Sequence, residues 1–301
     1  MKPLMLLIAL GVAPMAAAQS ADDYRGGWKT DEKSTGGPHT YEFSIRGDQV
    51  RGVYCTYCAD ATTLAFVDGK LGADGLNFVV THVKADGSTA YQDRATAKFD
   101  HGNLIVTGTS GAPKGSGGGK FQWTMIKDSR GPDPLPIPIV MLPPGRNIPL
   151  LPGRGGGGGG GAPPVPYVQP GPWRQLSQAD VVGVWLGFGV GINKQYFIIR
   201  RVGNKLRGMV CGRCDNPYTM AALDDFEIQG DTLKFNILHE DWGDYSIPFD
   251  KHVTAHIAGN EMRITTSQEN LPPTAPKPPA GGGFGSSLLG PIAAEATREN
   301  H

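Results

Sequence analysis

Residues 51–58 read Arg-Gly-Val-Tyr-Cys-Thr-Tyr-Cys, and residues 207–214 read Arg-Gly-Met-Val-Cys-Gly-Arg-Cys. Both stretches contain an Arg-Gly pair, two further residues and a Cys-x-x-Cys motif in the same order. Each begins as a strand-like run and ends in a motif that fits a tight turn. This octapeptide therefore predicts the same supersecondary unit twice in one chain.

Further matches on both sides of the octapeptide indicate an internal duplication. The corresponding stretches are Gly26-Gly27-Trp28 with Gly183-Val184-Trp185, residues 76–82 with 233–239, residues 95–97 with 253–255, and residues 103–107 with 261–265. Their order is the same in both halves of the chain, which chance similarity does not easily produce. We therefore predict two homologous domains, at residues 19–130 and 174–270.

Residues 131–173 and 271–301 differ from both repeats because they are rich in proline and glycine. Such segments have too few packable side chains to offset the entropy lost on ordering. We therefore expect a disordered linker between the domains and a disordered tail after them. The alternative, a wall-spanning spacer or a proline-rich ligand, stays open.

The first 18 residues predict an export signal. Lys2 supplies a positive start, the apolar run from Leu4 to Val12 is too short to span a bilayer, and Ala16-Ala17-Ala18 is typical of a cleavage site. The alternative is a buried N-terminal helix. We expect cleavage near Ala18 and a periplasmic or secreted mature protein.

Charge and motif composition exclude several classes of function. Lys and Arg number 28 and Asp and Glu number 28, whereas a nucleic-acid-binding protein needs a basic face. No run reaches the roughly 18 apolar residues of a membrane helix. The glycine run at residues 155–161 lacks the Gly-Lys-Ser/Thr of a phosphate loop, and no His-Glu-x-x-His motif occurs. We predict no nucleic-acid partner, no membrane span and no cofactor.

The four cysteines form two pairs, Cys55 with Cys58 and Cys211 with Cys214. In an oxidising compartment an even number of cysteines favours disulfides, and residues i and i+3 of a turn are close enough to form one. Two alternatives stay open: one zinc ion held by all four thiolates and a thioredoxin-like redox site. Covalent haem attachment is excluded, because no histidine follows either motif.

Within each repeat the hydrophobic pattern is typical of strands. Tyr41, Phe43 and Ile45 alternate with Glu42, Ser44 and Arg46, and Phe121, Trp123 and Met125 form a similar series. A period of two places one set on a buried face and the other in solvent. Hairpin-type glycine turns separate these runs at intervals of roughly 8–12 residues. The predicted fold class is all-β, with two homologous antiparallel β-barrel or β-sandwich domains joined by a disordered linker.

Each repeat opens with Gly-x-Trp, followed by a strand, a glycine turn and a strand that contains Val50-Arg51-Gly52 or Leu206-Arg207-Gly208. This arrangement resembles the start of small calycin barrels, the lipocalin and avidin group. The resemblance implies an up-and-down barrel around a ligand, with Trp28 and Trp185 closing one end. It covers only the first part of each repeat, and Cys-x-x-Cys is not part of the family's pattern. Residues 120–127 have no clear partner strand in the second repeat.

Two histidines and two arginines recur at corresponding positions. His82 and His239 lie in phase with the apolar residues of their strands, which places both imidazoles on the lumen side near the rim. There each could orient a ligand or transfer protons, or it could be a core histidine bonded to a loop carbonyl. Arg51 and Arg207 either form an anion-binding spot or point into solvent.

We interpret the sequence as that of a secreted, non-enzymatic protein whose two β-domains bind a small molecule or an envelope or polymer surface. Two tethered copies would raise the avidity for a repetitive target. Two alternatives stay open. One is an exported hydrolase with His82 or His239 as general base. The other is a structural envelope protein in which the proline-rich linker is the functional segment.

Overall fold

The structure is a computed structural model that describes residues 20–31, 37–58, 60–127, 175–188, 194–212, 214, 216–239, 249–258, 261–269 and 293–298. The predicted signal, residues 1–18, and the predicted linker, residues 131–173, lie outside these ranges. The described part of the chain is all-β apart from four short helical turns. The predicted fold class is therefore confirmed at the level of secondary structure.

The first repeat forms a closed barrel of eight antiparallel strands. They are β1 (Gly26–Thr30), β2 (Thr40–Arg46), β3 (Gln49–Cys55), β4 (Ala65–Gly72), β5 (Gly75–Val83), β6 (Thr89–Asp100), β7 (Asn103–Ser110) and β8 (Gly119–Lys127). Each strand pairs with the next, and β8 pairs with β1 to close the ring. Alternate residues such as Tyr41, Phe43 and Ile45 fill the interior.

The second repeat contains a curled antiparallel sheet of six consecutive strands. They are β10 (Lys194–Val202), β11 (Lys205–Cys211), β12 (Met220–Gln229), β13 (Thr232–His239), β14 (Phe249–Ala258) and β15 (Glu261–Glu269). Two further strands, β9 (Gly183–Phe188) and β16 (Ala293–Arg298), pair with its edges and with each other. These pairings complete a ring of the same strand order as the first barrel.

Strand β16 differs from the prediction of a disordered tail over residues 271–301. Within that range the structure describes residues 293–298, which pair with β15 and β9. They occupy the place that β8 takes in the first repeat, so residues 120–127 do have a counterpart. Sequence comparison missed it because a long proline- and glycine-rich stretch separates β16 from the rest of its repeat.

A one-turn helix precedes the first strand of each repeat, α1 at Ala21–Tyr24 and α2 at Gln178–Val181. The indole Nε1 of Trp28 donates to the Tyr24 carbonyl at 2.8 Å, and that of Trp185 donates to the Val181 carbonyl at 2.9 Å. Both tryptophans are buried. They therefore fix the helical turn against one end of each barrel. We call this end the closed end, and we call the opposite end of the first barrel the far end.

The two barrels pack against each other through the outer faces of β3 to β5 in the first barrel and β9 to β13 in the second. A single buried cluster combines Val53, Cys55, Cys58, Leu64, Phe66 and Val83 of the first barrel with Val184, Tyr196, Ile198, Met209, Cys211, Cys214, Met220, Ala222 and Leu238 of the second. The backbones also approach closely, because a Cβ on Gly27 would lie 2.4 Å from the Cβ of Pro217. The two domains predicted from the repeats are therefore in contact with each other, and the tether, which lies outside the described residues, stays a prediction.

Both Cys-x-x-Cys motifs are closed as disulfides, each with a Cα–Cα distance of 5.1 Å, as predicted. All four cysteines are buried in the cluster between the barrels. Their sulfurs are not thiolates, so the geometry does not support the zinc alternative. Each disulfide holds its turn in the shape against which the other barrel packs.

The same interface explains why alternation failed on β2. Glu42 and Ser44 were expected in solvent, yet each is only 1% exposed. Their side chains project from the outer face of the first barrel, and the second barrel covers that face. Arg46 on the same face forms an ion pair with Asp250 of β14. Strand β2 is therefore buried on both faces.

Arg51 and Arg207 make reciprocal ion pairs across the interface. Arg51 bonds Asp224 and Asp225 of the second barrel, and Arg207 bonds Asp68 of the first barrel at 2.6 Å. Both arginines therefore pair with carboxylates of the opposite barrel, and the Arg51 side chain is 45% exposed whereas that of Arg207 is 9% exposed. They face outward from their own barrel, but the opposite barrel lies there.

We expect Arg207→Ala to destabilise the protein more than Arg51→Ala. The Arg207 side chain is 9% exposed, and it also donates to the Val67 carbonyl and lies over the Phe66 ring. Its removal should lower the free energy of unfolding by about 2–3 kcal/mol. The Arg51 side chain is 45% exposed, so its loss should cost about 1 kcal/mol or less. Urea unfolding measures both values, and equal losses would contradict this account.

Candidate functional site

Inward-facing side chains at the far end of the first barrel form a cluster of aromatic and titratable groups. Strand alternation carries each of them past the apolar interior to the end of its strand. We call this set the rim cluster: His39, Tyr54, His82, Tyr91, Asp93, Phe121 and Trp123. Tyr54 and Asp93 are buried, and the other five are half-buried. The cluster therefore joins the core to the surface.

His82 and Asp93 form the polar centre of the rim cluster. The His82 Nε2 atom lies 2.9 Å from Asp93 Oδ2, and the Gly111 N–H donates to Asp93 Oδ1 at 3.1 Å. Burial raises the pKa of Asp93, but hydrogen bonds from His82, Ser110 and Gly111 outweigh that effect and hold the pKa below its usual value. Asp93 is therefore an ionised carboxylate at neutral pH, and it fixes the orientation of the His82 ring.

Aromatic rings stack in a row beside this pair. His39 lies on Trp123 with ring centroids 3.8 Å apart, and Trp123 lies on Phe121 at 4.1 Å. Tyr91 stacks on His82 in the same way, also at 4.1 Å. Ring stacks of this kind restrict the positions of their members. The half-buried rings thus present prearranged flat surfaces at the far end.

Tyr54 links the aromatic row to the interior. Its hydroxyl lies 2.7 Å from His39 Nδ1. Burial raises the pKa of Tyr54 well above its usual value, and the charge of Asp93 raises it further. Tyr54 is therefore a neutral phenol that can donate to His39. The rim cluster thus contains two separate hydrogen-bonded pairs, His82 with Asp93 and His39 with Tyr54.

This arrangement can hold a small molecule by two kinds of contact. Flat ring faces pack against an apolar or planar group, and the imidazoles and hydroxyls can bond its polar edge. A histidine oriented by a carboxylate also supplies half of a general-base arrangement. Among the described residues, no group of three or more His, Cys, Asp or Glu side chains is placed to hold a metal ion.

The second barrel does not repeat the rim cluster. The strand register places Val210 where the first barrel has Tyr54, Phe249 where it has Tyr91, and Lys251 where it has Asp93. His239 ends β13 at the position equivalent to His82, and the structure describes only its backbone. The predicted equivalence of the two histidines therefore does not extend to the residues paired with them.

The other predicted site residues lie elsewhere. Trp28 and Trp185 are at the closed ends, where they are buried. Arg51 and Arg207 are at the interface between the barrels. Of the six predicted ligand-binding residues, the structure places only His82 in the rim cluster. Its partner is a carboxylate and not the loop carbonyl of the structural alternative.

Sequence reasoning missed Asp93, although a signal was present. Tyr91, Asp93, Ala95 and Ala97 alternate in phase, and Ala95 and Ala97 are buried in the core. A carboxylate in phase with buried residues needs a partner. The partner, His82, lies on the neighbouring strand, so only the strand register reveals the pair.

No known protein-family profile, curated protein or solved structure matches this chain. No helix among the described residues is long and apolar enough to cross a membrane.

The lowered pKa of Asp93 predicts a pH-dependent contribution to stability. Because folding lowers this pKa, the contribution is present above the ordinary aspartate pKa of about 3.9 and is lost as the pH falls through the folded value. We expect Asp93→Asn to lower the free energy of unfolding by about 1–3 kcal/mol at pH 7. The difference from wild type should shrink below about pH 4. Urea unfolding as a function of pH measures it, and a constant difference would contradict the assignment.

Proposed function

We propose that this protein is an exported, non-enzymatic binding protein that takes a small molecule at the rim cluster. The observation that carries the proposal is the row of stacked, half-buried rings that Tyr54 connects to the His82–Asp93 pair, with ring centroids 6.2 Å from Trp123 and 5.6 Å from His82. Such a combination of flat apolar surface and a few oriented polar groups is typical of small-molecule sites. Export rests on the sequence of the first 18 residues alone.

The architecture of the first barrel supports this location. Tyr24 and Trp28 fill the closed end, so we place the ligand at the opposite end, where the rim cluster lies. An eight-stranded antiparallel barrel with a buried Gly-x-Trp tryptophan is compatible with a calycin-like fold, in which ligands bind inside the barrel. We propose this relationship on the shared arrangement, since fold alone does not establish function.

A fluorescent probe tests the site without knowledge of the natural ligand. We expect 1-anilinonaphthalene-8-sulfonate, which has a planar ring system and an anionic group, to bind the folded protein with a saturable rise in emission. Trp123→Ala should abolish or strongly weaken this binding, because it removes the centre of the ring stack. Tyr57→Ala is the matched control: Tyr57 is 45% exposed and outside the cluster, so its loss should leave binding unchanged. Equal effects of the two variants would refute the proposal.

The His82–Asp93 pair also favours a second candidate, an exported hydrolase with His82 as general base. A carboxylate that orients an imidazole is the arrangement that general-base catalysis uses. In a panel of ester and glycoside substrates, this candidate predicts turnover that falls by about a hundredfold or more in His82→Ala. Turnover that persists in this variant, provided it folds, removes the candidate and leaves the binding proposal intact.

A further inference from the structure

The outer face of β5 to β8 carries a second candidate site that is independent of the rim cluster. Its outward side chains line a shallow groove of about 740 Å³ on the first barrel. We call this the outer polar face and define it by Asn77, Arg94, Thr96, Thr107, Thr109 and Lys120. These residues lie on the opposite side of their strands from the lumen, so they take no part in the rim cluster.

Strand register arranges these side chains in two rows. Asn77 pairs with Thr96 and Thr96 with Thr107, while Arg94 pairs with Thr109 and Thr109 with Lys120. Neighbouring positions in a row are therefore one strand spacing apart, about 4.8 Å. The Thr96 and Thr107 hydroxyls are hydrogen-bonded at 3.0 Å. One row thus presents amide and hydroxyl groups at regular intervals, and the other presents a cation at each end.

The charge of this face differs from that of the whole chain. The chain has equal numbers of acidic and basic residues, yet the outward positions of β5 to β8 between residues 77 and 126 contain three cations and one acid, Asp100 at the end of β6. The cations are Arg94, Lys98 and Lys120, all exposed. Asp68, at the edge of the groove, bonds Arg207 across the interface. The face is therefore a locally basic surface on a neutral protein.

We propose that the outer polar face binds a linear, negatively charged polysaccharide. Threonine hydroxyls and the Asn77 amide can exchange hydrogen bonds with sugar hydroxyls, and Arg94 and Lys120 can pair with carboxylates along the polymer. The regular steps of the rows suit an extended chain that lies across the strands. Single-stranded nucleic acid is disfavoured, because no aromatic side chain projects from these outward positions to stack on bases.

Alginate, a linear carboxylated polysaccharide, tests the proposal with the full chain. We expect binding at low ionic strength that weakens as salt screens the charges. Replacing Arg94 and Lys120 together by Glu should weaken it on the order of tenfold. The control variant, Lys205→Glu with Lys234→Glu, makes the same change in net charge at exposed positions of the second barrel. It should leave most of the binding intact.

A second variant separates sugar recognition from charge. Thr96→Val with Thr107→Val keeps the charge and the β-branched shape but removes the hydroxyl row, so it should weaken alginate binding while circular dichroism and thermal unfolding show a folded barrel. Three results would overturn the proposal: no binding of alginate at low salt, equal losses in the charge variant and its control, or binding of single-stranded DNA as tight as that of alginate.

Discussion

Burial on both faces of β2, of the end of β3 and of the start of β4 is the constraint on which the rest of the structure depends. In an ordinary antiparallel barrel the inner face packs and the outer face meets water. Here Val53 and Phe66 point outward from the first barrel and are fully buried, because the second barrel covers them. The same short strands must therefore supply side chains that pack in the barrel interior and side chains that pack against the second barrel. This explains why apolar residues run almost without interruption through residues 64–67.

The interface has the reciprocity of a twofold assembly within one chain. Arg51 and Arg207 occupy equivalent positions, and so do Asp68 and Asp224, and each arginine bonds the aspartate of the opposite barrel. A surface that pairs with its own copy is characteristic of isologous dimers. The duplicated octapeptide lies at the centre of this surface. Its repetition is thus a requirement of the contact between the barrels as well as of each barrel.

Local patterns predicted the parts of the fold that local forces determine. Alternation predicted strands, glycine pairs predicted turns, and the spacing within Cys-x-x-Cys predicted the disulfides. The interface could not be predicted in this way, because nothing in Glu42 or Ser44 themselves shows that another barrel covers them. The sequence predicts His82 at the rim, but its pairing with Asp93 follows only from the register of β5 and β6. The polar pair is therefore a property of strand pairing and not of either segment alone.

The two repeats share their structural residues but differ in the polar residues of the rim cluster. The tryptophan, the one-turn helix and the disulfide recur in both repeats, whereas Tyr54 and Asp93 have Val210 and Lys251 at the equivalent positions. One barrel thus carries the rim cluster, and the other contributes the surface that covers its outer strands. The polar residues at the end of a barrel can therefore differ between the two repeats while the contact between the barrels is kept.

The position of β16 near the end of the sequence sets the order in which the two barrels can close. The first barrel has all eight strands once residue 127 has been made, whereas the ring of the second barrel needs residues 293–298. Until residues 293–298 pair with β15 and β9, each of those two strands has an unpaired edge, a template for pairing with other chains. Because the closing strand is the last described strand of the chain, a chain that ends before it would keep both edges open.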